Sequence, residues 1–267
     1  MTHVTSADGT PIGYDQLSDG GPVVVLVSGG LDDGTESLPL GEYLAATFTV
    51  IAYRRRGRGD SGDTQPYAVQ REIEDLAAVI DATGGRAHLF GASSGGALVL
   101  LAAAAGVSVD RIAIYEVPYQ LGDEMLTTWH AYTSDLAAAL DADDRDQALR
   151  LFMRLAGSAD PDIAAAEAAP VWPTLRALAP TLRYDAACLG NGAPPAEQLA
   201  AVTQPVLLAT GATIDPHSAG LPIDYFGAAA AATAAHLSNA RRTTIEVPGH
   251  IPDPTLLGPV LNTFYTD

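Results

Sequence analysis

A serine lies between two glycines in the run Gly91-Ala92-Ser93-Ser94-Gly95, and its surroundings could make it a nucleophile. The apolar run 86–90 before it predicts a buried strand, and the alanine-rich run 96–105 after it predicts a buried helix. A serine in such a strand-to-helix turn, a nucleophile elbow, exposes its hydroxyl, and flanking glycines keep side chains out of the turn. The pattern therefore favours Ser93 as a catalytic nucleophile over an ordinary loop serine.

A serine hydroxyl is a poor nucleophile at neutral pH and needs a base within hydrogen-bond reach. Among the six histidines, His250 lies in a loop directly after the last predicted strand, at the sheet edge that also carries Ser93. Such loops often hold catalytic residues on a rigid scaffold. We therefore predict that His250 is the base, with His217 as a weaker second choice. His88, inside a predicted strand, is expected to be a core residue with a satisfied hydrogen bond.

The base in turn needs a carboxylate that fixes its tautomer and stabilises the imidazolium. Asp215 follows a predicted strand and gives the chain order serine, acid, histidine. Glu116, at the end of the strand after the Ser93 unit, is the alternative acid, although it could instead pair with an arginine such as Arg55. The sequence favours Asp215 and leaves Glu116 open, because either strand end can face the same histidine.

An oxyanion hole requires two backbone N–H groups aimed at one point. Ser94, at the start of the helix after the nucleophile, can supply one of them. The turn Ser28-Gly29-Gly30 ends the first buried strand and can supply the other from Gly30, with Leu31 as the alternative. The other interpretation of these glycines is a tight turn without a catalytic role.

The elements that position these residues follow from the spacing of the apolar runs. Short runs on both sides of Asp8-Gly9 predict a β-hairpin. Strands then alternate with helices, which predicts an α/β fold with a mostly parallel, doubly wound sheet. An alanine-rich helical stretch interrupts the alternation and predicts a lid inserted between two late strands, over the sheet edge where ligands bind. We therefore divide the chain into a core, residues 1–117 and 204–267, and a helical cap, residues 118–203.

The predicted cap holds both tryptophans and every methionine except the first. Several of its large side chains could line an apolar substrate pocket beneath the lid, although packing within the cap explains most of them equally well. We expect only two or three to contact a ligand. The candidates are Met125, Trp129, Tyr132, Met153, Trp172 and Tyr184.

Together these motifs resemble the α/β-hydrolase superfamily, in particular its esterase, lactonase and cofactor-free haloperoxidase branch. The resemblance extends over nearly the whole chain apart from the cap. It implies the α/β-hydrolase fold and a catalytic triad of Ser93, Asp215 and His250. The segments that carry it are 28–30, 53–61, 91–95, 211–216 and 249–250.

The chain departs from the family's pattern in three places. Ser28 stands where the family usually has a histidine, and Arg54 stands where it usually has an aspartate. The acid loop is one residue longer than the commonest form, which keeps Glu116 as an alternative acid. In the family, the stretch that holds the arginine run 54–58 mainly braces a turn beside the active site. We therefore expect the run to serve structure rather than to bind substrate.

Composition bounds the range of partners. The 267 residues are 48% hydrophobic, and 14 basic against 32 acidic residues give a formal charge of −18. This charge repels nucleic acids and anionic membrane surfaces, so we expect neither as a partner. The single cysteine, Cys188, excludes an intrachain disulfide and is expected to be a small buried residue. With no signal-peptide pattern and no apolar run of ~20 residues, we expect a cytoplasmic protein.

The chain has no zinc-ligand spacing, phosphate loop or cofactor fingerprint, so we expect no metal and no cofactor. Our leading hypothesis is a serine hydrolase that cleaves a small carboxylic ester or lactone through an acyl-enzyme. One alternative is a non-hydrolytic lyase or cyclase of secondary metabolism, suggested by Ser28 in the oxyanion loop. Another is a catalytically silent relative that binds a small molecule. The sequence specifies neither the substrate nor the oligomeric state, and a homodimer is compatible with it.

Overall fold

The computed structural model describes residues 2–213, 215–251 and 253–267, and in them the strands form one eight-stranded sheet. The spatial order is β1-β2-β4-β3-β5-β6-β7-β8. The pairs β1–β2 and β2–β4 are antiparallel, and the other pairs are parallel. The predicted mostly parallel sheet is therefore confirmed. The strands are β1 (Thr2–Thr5), β2 (Pro11–Gln16), β3 (Val23–Val27), β4 (Thr49–Tyr53), β5 (Ala87–Ala92), β6 (Val109–Tyr115), β7 (Val206–Thr213) and β8 (Ala240–Pro248).

Eleven α-helices are present in the described residues, together with 3₁₀ turns at Ala179–Thr181 and Pro216–Ser218. Helices α4 to α9 all fall between β6 and β7, where the sequence predicts an inserted helical segment. The division of the chain into a core and a cap remains a prediction. The helices are α1 (Leu38–Leu44), α2 (Val69–Ala82), α3 (Ser94–Ala104), α4 (Asp123–Asp141), α5 (Arg145–Leu155), α6 (Asp160–Glu167), α7 (Trp172–Leu178), α8 (Leu182–Leu189), α9 (Ala196–Ala201), α10 (Tyr225–Ala234) and α11 (Pro254–Thr266).

The sheet is buried on both faces. Val25 and Leu89 point to the face covered by α2, α3 and inserted helices, whereas Val24 and Phe90 point to the face covered by α1 and α11. Side chains alternate between faces along a strand, so a strand covered on both sides must be apolar at every position. This double burial explains the continuous apolar runs of the central strands and fixes their carboxyl ends at one edge.

His88 lies in β5 as predicted, but its polar atoms are not all satisfied. The ring stacks on Tyr265, with 4.9 Å between ring centroids, and meets Phe48 edge-on at 6.3 Å. Its Nδ1 is buried and has no hydrogen-bond partner in the described part of the chain. The expectation of a satisfied hydrogen bond is therefore wrong for this nitrogen. Burial lowers the pKa of His88, which favours the neutral ring.

None of the helices in the described residues is both long enough and apolar enough to cross a bilayer.

Candidate active site

Ser93 occupies the turn between β5 and α3 in a conformation that non-glycine residues rarely adopt, with φ 53° and ψ −127°. A side-chain carbon on Gly91 would lie 2.6 Å from the carbonyl oxygen of Gly95. A side-chain carbon on Gly95 would lie 2.4 Å from the carbonyl oxygen of Val27. Both glycines are therefore required by space, and they allow the sharp turn that holds Ser93 in its strained geometry.

His250 is held by a carboxylate and an aromatic ring. Its Nδ1 lies 2.8 Å from Oε2 of Glu116, and its ring stacks on Phe226 with 4.9 Å between centroids. The other oxygen of Glu116 accepts a hydrogen bond from the N–H of Gly211 at 2.8 Å. Glu116 is only 5% exposed, so both the carboxylate and the imidazole have a defined orientation. The side chain of His217, the second-choice base, lies outside the described residues.

The two predicted acids both reach the loop that carries His250. A side-chain carbon on Gly249 would lie 3.3 Å from Oδ2 of Asp215, so that carboxylate adjoins the histidine loop. Glu116 Oε2 is in position to accept a hydrogen bond from Nδ1 of the imidazole. Arg55, suggested above as a structural partner of Glu116, pairs with other carboxylates. Glu116 therefore contacts His250, and which of the two carboxylates acts as the triad acid stays a prediction.

Ser93 and His250 line the same cavity, which encloses about 680 Å³ including its open mouth. No hydrogen bond joins Ser93 Oγ to His250 among the described residues. Catalytic hydrogen bonds are often long without substrate and shorten when it binds. Ser93 and His250 thus border one cavity, where a bound molecule can contact both. The described residues hold no group of three His, Cys, Asp or Glu side chains suited to a metal ion.

Two of the six predicted pocket residues, Trp129 and Tyr132, line this cavity. The other four, Met125, Met153, Trp172 and Tyr184, do not. The remaining lining residues are Gly30, Ser94, Pro118, Gln120, Phe152, Leu155, Ala156, Asp185, Ala186, Leu189, Ser218, Leu221, Tyr225 and Phe226.

The four side chains outside the lining have other environments. Trp172 donates its indole N–H to Asp146 at 2.8 Å, and Tyr184 stacks on Tyr67 with 3.8 Å between centroids. Met153 packs against the hydrophobic core, and Met125 lies in the first turn of α4. Packing within the helical segment, the alternative given above, accounts for these positions.

The predicted oxyanion groups lie beside Ser93. Gly30 and Ser94 line the cavity, and Ser94 is the first residue of α3, so its N–H has no partner within the helix. The N–H groups of Gly30 and Leu31 make no hydrogen bond within the described residues. A side-chain carbon on Gly29 would lie only 2.8 Å from Cβ of Ser93. The loop therefore approaches the serine closely enough for its N–H groups to serve a bound oxygen.

Beneath this loop lies a buried charge cluster that we define as Arg55, Arg58, Glu72 and Asp185. Arg55 binds Glu72 through two hydrogen bonds of 2.6 and 2.8 Å and reaches Oδ1 of Asp185 at 2.8 Å. Arg58 and the hydroxyl of Ser94 donate to the same oxygen, each at 2.7 Å. Burial acts to raise the pKa of Asp185, but Arg58 and Arg55 outweigh it, and the pKa is lowered.

The arginine run 54–58 braces the site from below. Arg55 donates to the carbonyl of Ser28 at 3.3 Å, and Arg58 donates to the carbonyl of Gly29. These bonds fix the loop that carries the candidate oxyanion groups, and none of the arginines lines the cavity. The expectation that the run has a structural task agrees with these contacts.

Sequence reasoning did not single out Asp185. It lies in α8, inside the helical segment, and no motif marks it. A signal was nevertheless present. Four of the five residues in the run 54–58 are arginines, and each arginine that becomes buried needs a carboxylate partner. That signal says a carboxylate is needed without saying which one.

The sequence model of a family described as "Alpha/beta hydrolase family" matches residues 24–256. The chain belongs to the alpha/beta hydrolase family. This match confirms the resemblance drawn from the motifs. A protein of Gibberella zeae described as an AB hydrolase superfamily protein is 33% identical over 95 residues. That match spans about a third of each chain, 34% in both cases.

Solved structures share the hydrolase fold over the whole chain. An alpha/beta hydrolase from Sphaerobacter thermophilus is 42% identical with a TM-score of 0.86, covering 99% of this chain and 100% of that one. The enol-lactonase from Burkholderia xenovorans is 18% identical with a TM-score of 0.70, covering both chains completely. The esterase RhEst1 from Rhodococcus is 21% identical with a TM-score of 0.71, covering 100% of this chain and 98% of its own. The last two likenesses concern the fold alone.

Proposed function

We propose that this member of the alpha/beta hydrolase family cleaves a small carboxylic ester or lactone through an acyl-enzyme on Ser93. His250 removes the proton of the Ser93 hydroxyl as its oxygen attacks the carbonyl carbon. The tetrahedral oxyanion is held by the N–H groups of Gly30 and Ser94, with Leu31 as an alternative donor. Collapse expels the alcohol with a proton from His250, and a water activated by His250 then hydrolyses the acyl-enzyme.

The observation that carries this proposal is the 2.8 Å contact between His250 Nδ1 and Glu116, on the wall of the cavity that also holds Ser93. A carboxylate on Nδ1 favours the tautomer whose Nε2 can accept a proton, and it stabilises the imidazolium that results. In the described residues Nε2 has no protein partner. A small-molecule receptor has no need of a base oriented in this way, so the arrangement supports an enzyme.

The negative charge of Asp185 beside Gly30 poses a problem for an oxyanion, since like charges repel. The charge cluster reduces this repulsion, because Arg55 and Arg58 both bind the Asp185 carboxylate. Two positive and two negative groups leave the cluster neutral at neutral pH. A transient oxyanion in the cavity therefore meets a compensated carboxylate rather than an isolated anion.

We also propose that residues 118–203 act as a cap over the core formed by residues 1–117 and 204–267. Helices α4, α5 and α8 of this segment supply much of the cavity lining, among it Trp129, Phe152 and Leu189. The shape of the substrate would then be set largely by the cap. The esterase and the enol-lactonase named above share only the fold with this chain. The ester or lactone class is proposed from the chemistry available to Ser93.

The test uses a fluorophosphonate probe and 4-nitrophenyl butanoate. We expect one probe molecule per chain, located on Ser93 by peptide mass spectrometry, and an initial burst of nitrophenol. Ser93→Ala should lose both labelling and turnover, whereas Ser238→Ala, which changes an exposed serine, should retain both. Unchanged turnover in Ser93→Ala would refute the proposal. Turnover of other substrates without any covalent labelling would favour the non-hydrolytic alternative.

A further inference from the structure

A groove lies between helix α10 and strands β7 and β8, beside the catalytic cavity. It encloses about 1070 Å³ including its open mouth, and neither Ser93 nor His250 lines it. Helix α10 lines the groove with Gly227 and with alanines of the run 228–231. These residues are too small to fill the space above the sheet. The alanine-rich run of the sequence therefore leaves the groove open.

Thr210 places a polar group inside this groove. The residue is only 7% exposed and lines the groove, and its hydroxyl makes no hydrogen bond within the described part of the chain. The hydroxyls of Ser28 and Tyr119 are sealed from solvent without a partner, but the Thr210 hydroxyl is not among such sealed atoms. A molecule in the groove can therefore reach it. Such a hydroxyl is one of the few polar groups that orient a ligand in a small site.

Arg242 lies near Thr210 on the same face of the sheet. Thr210 pairs with Thr244, two residues beyond Arg242, so the Cα atoms of Thr210 and Arg242 are roughly 8 Å apart. Acidic residues outnumber basic ones by 32 to 14, yet Arg242 has no carboxylate partner among the described residues. Its neighbour Arg241 pairs with Asp267 at 3.5 Å. The guanidinium of Arg242 is therefore available to an anionic group in the groove.

The two ends of the groove differ in charge. Helix α10 connects two parallel strands and runs back against them, so its first residues lie near the carboxyl ends of β7 and β8. Asp224, which precedes α10, and Glu116 line that end, whereas Arg242 is the third residue of β8 and lies toward the other. The oxygens of Glu116 already contact Gly211 and His250, but Asp224 has no partner in the described chain. The groove therefore suits a molecule with an anionic end and a donor end.

We propose that this groove binds a short hydroxy carboxylate, with its carboxylate on Arg242 and its hydroxyl between Thr210 and Asp224. The fork of an arginine matches a carboxylate through two parallel hydrogen bonds. A hydroxyl can donate to the Asp224 carboxylate and accept from the Thr210 hydroxyl at once. A molecule that is negative at both ends would be repelled by Asp224. Lactone opening releases a molecule of this class, yet binding in the groove does not depend on that reaction.

Calorimetric titration of the whole protein tests the site. The probes are 3-hydroxybutanoate, 4-hydroxybutanoate and 5-hydroxypentanoate, each compared with the acid that lacks the hydroxyl and with its own uncharged amide. We expect at least one hydroxy acid to bind saturably with a Kd on the order of 1 mM or lower. Its two comparison compounds should bind at least about fivefold more weakly, because each loses one set of hydrogen bonds. No saturable binding of any probe, or equal binding within every set, would overturn the site.

Two neighbouring arginines separate binding in the groove from attraction to the surface in general. Arg242→Gln should weaken binding of the hydroxy acid at least about tenfold, because it removes the charged partner of the carboxylate. Arg241→Gln removes the same charge from the same strand, but Arg241 does not line the groove. Its binding should stay within about twofold of that of the parent protein, since exposed charges at a distance contribute little. Equal losses in the two variants would contradict the assignment.

Two further variants locate the hydroxyl and the bound molecule. Thr210→Val removes the hydroxyl at similar size, so the advantage of the hydroxy acid over the plain acid should shrink. Phe152→Ala alters the catalytic cavity and should leave binding unchanged. Binding that is lost in Phe152→Ala and kept in Arg242→Gln would place the probe in the catalytic cavity and overturn the groove site.

Circular dichroism and thermal unfolding establish that each variant is folded. If Thr210→Val does not fold, the exposed pair Arg241 and Arg242 decides alone. Ester hydrolysis plays no part in these measurements, so their outcome is the same whether or not Ser93 forms an acyl-enzyme.

Discussion

Glu116 Oε2 lies 2.8 Å from His250 Nδ1. Glu116 follows strand β6, and His250 follows strand β8. Glu116 has a positive φ of 53°, which lets its side chain leave the end of β6 toward the histidine. The carbonyl of Gly249 accepts a hydrogen bond from the hydroxyl of Tyr115 at 2.9 Å, so the residues preceding each partner are also joined. Two adjacent contacts therefore fix the position of Glu116 relative to His250.

This pairing predicts which carboxylate supports the base. Glu116→Gln should lower kcat for ester hydrolysis by about 10²- to 10⁴-fold, because an amide can force the wrong imidazole tautomer and cannot stabilise the imidazolium. Asp215→Asn should lower it less than about tenfold. Steady-state kinetics on 4-nitrophenyl butanoate measure both, with far-ultraviolet circular dichroism as the control for folding. A larger loss of kcat in Asp215→Asn than in Glu116→Gln would identify Asp215 as the triad acid.

Gly29 predicts a steric sensitivity beside the nucleophile. In Gly29→Ala the new carbon would lie 2.8 Å from Cβ of Ser93, closer than side-chain carbons normally approach. Either Ser93 or the loop must shift, and a small misplacement of reacting groups can cost about 10²-fold in rate. We expect at least a tenfold loss of kcat/KM, read beside urea unfolding of the same sample. Full activity in a normally stable Gly29→Ala protein would contradict this prediction, because the loop could then shift without displacing Ser93.

His88 predicts a specific dependence of stability on pH. Its pKa is lowered by burial, so below about pH 6.5 the unfolded chain binds a proton that the folded protein resists. Stability from this residue is therefore complete above that pH and is lost as the pH falls toward the lowered pKa. His88→Phe removes the titration and the unpartnered Nδ1 and keeps a ring against Tyr265. It should raise the free energy of unfolding by about 1 kcal/mol at neutral pH.

Urea denaturation of both proteins at pH 7.5, 6.5, 5.5 and 5.0 measures the effect. The advantage of His88→Phe over the parent protein should grow as the pH is lowered. A constant or shrinking advantage across that range would mean that the imidazole is protonated as easily in the folded state as in the unfolded one.

Cys188 predicts an unreactive thiol. Burial, with the nearby Glu72 charge second, raises the pKa of Cys188 to about 12. The thiolate is the reactive form, so its fraction at pH 8 is about 10⁻⁴. The native protein should therefore react with less than a tenth of an equivalent of 5,5′-dithiobis(2-nitrobenzoate) in an hour. In guanidinium chloride the same sample should react fully, and rapid reaction of the folded protein would contradict the buried location.

The sequence analysis could anticipate the elbow because its requirements are local. Glycines at 91 and 95 are needed by contacts within the turn and the adjoining strand, and a buried strand and helix on each side leave little choice. The identity of the triad acid, in contrast, does not follow from local requirements. Asp215 and Glu116 follow neighbouring strands that end at the same edge, so spacing places both near His250, and only side-chain geometry separates them.

The helical segment was the least predictable part of the site for the same reason. Its helices could be recognised, but the faces they turn toward the cavity depend on packing between elements far apart in the chain. Trp129 and Tyr132 face the cavity, whereas Trp172 and Tyr184 find partners elsewhere. Asp185 belongs to a contact that links residues about 130 positions apart, which no local pattern encodes.

The bonds from Arg55 and Arg58 to Asp185 have a consequence for how this architecture can be re-engineered. They tie α8 to the loop after β4, and the same arginines also donate to carbonyls of the loop after β3, so one set of polar contacts joins the inserted helices to both loops. Transplanting the helical segment from a relative that lacks an acidic residue at this point would leave the buried Arg58 without its carboxylate partner and Arg55 with Glu72 alone. Chimeras built to change selectivity would therefore have to exchange Arg58 together with the helices.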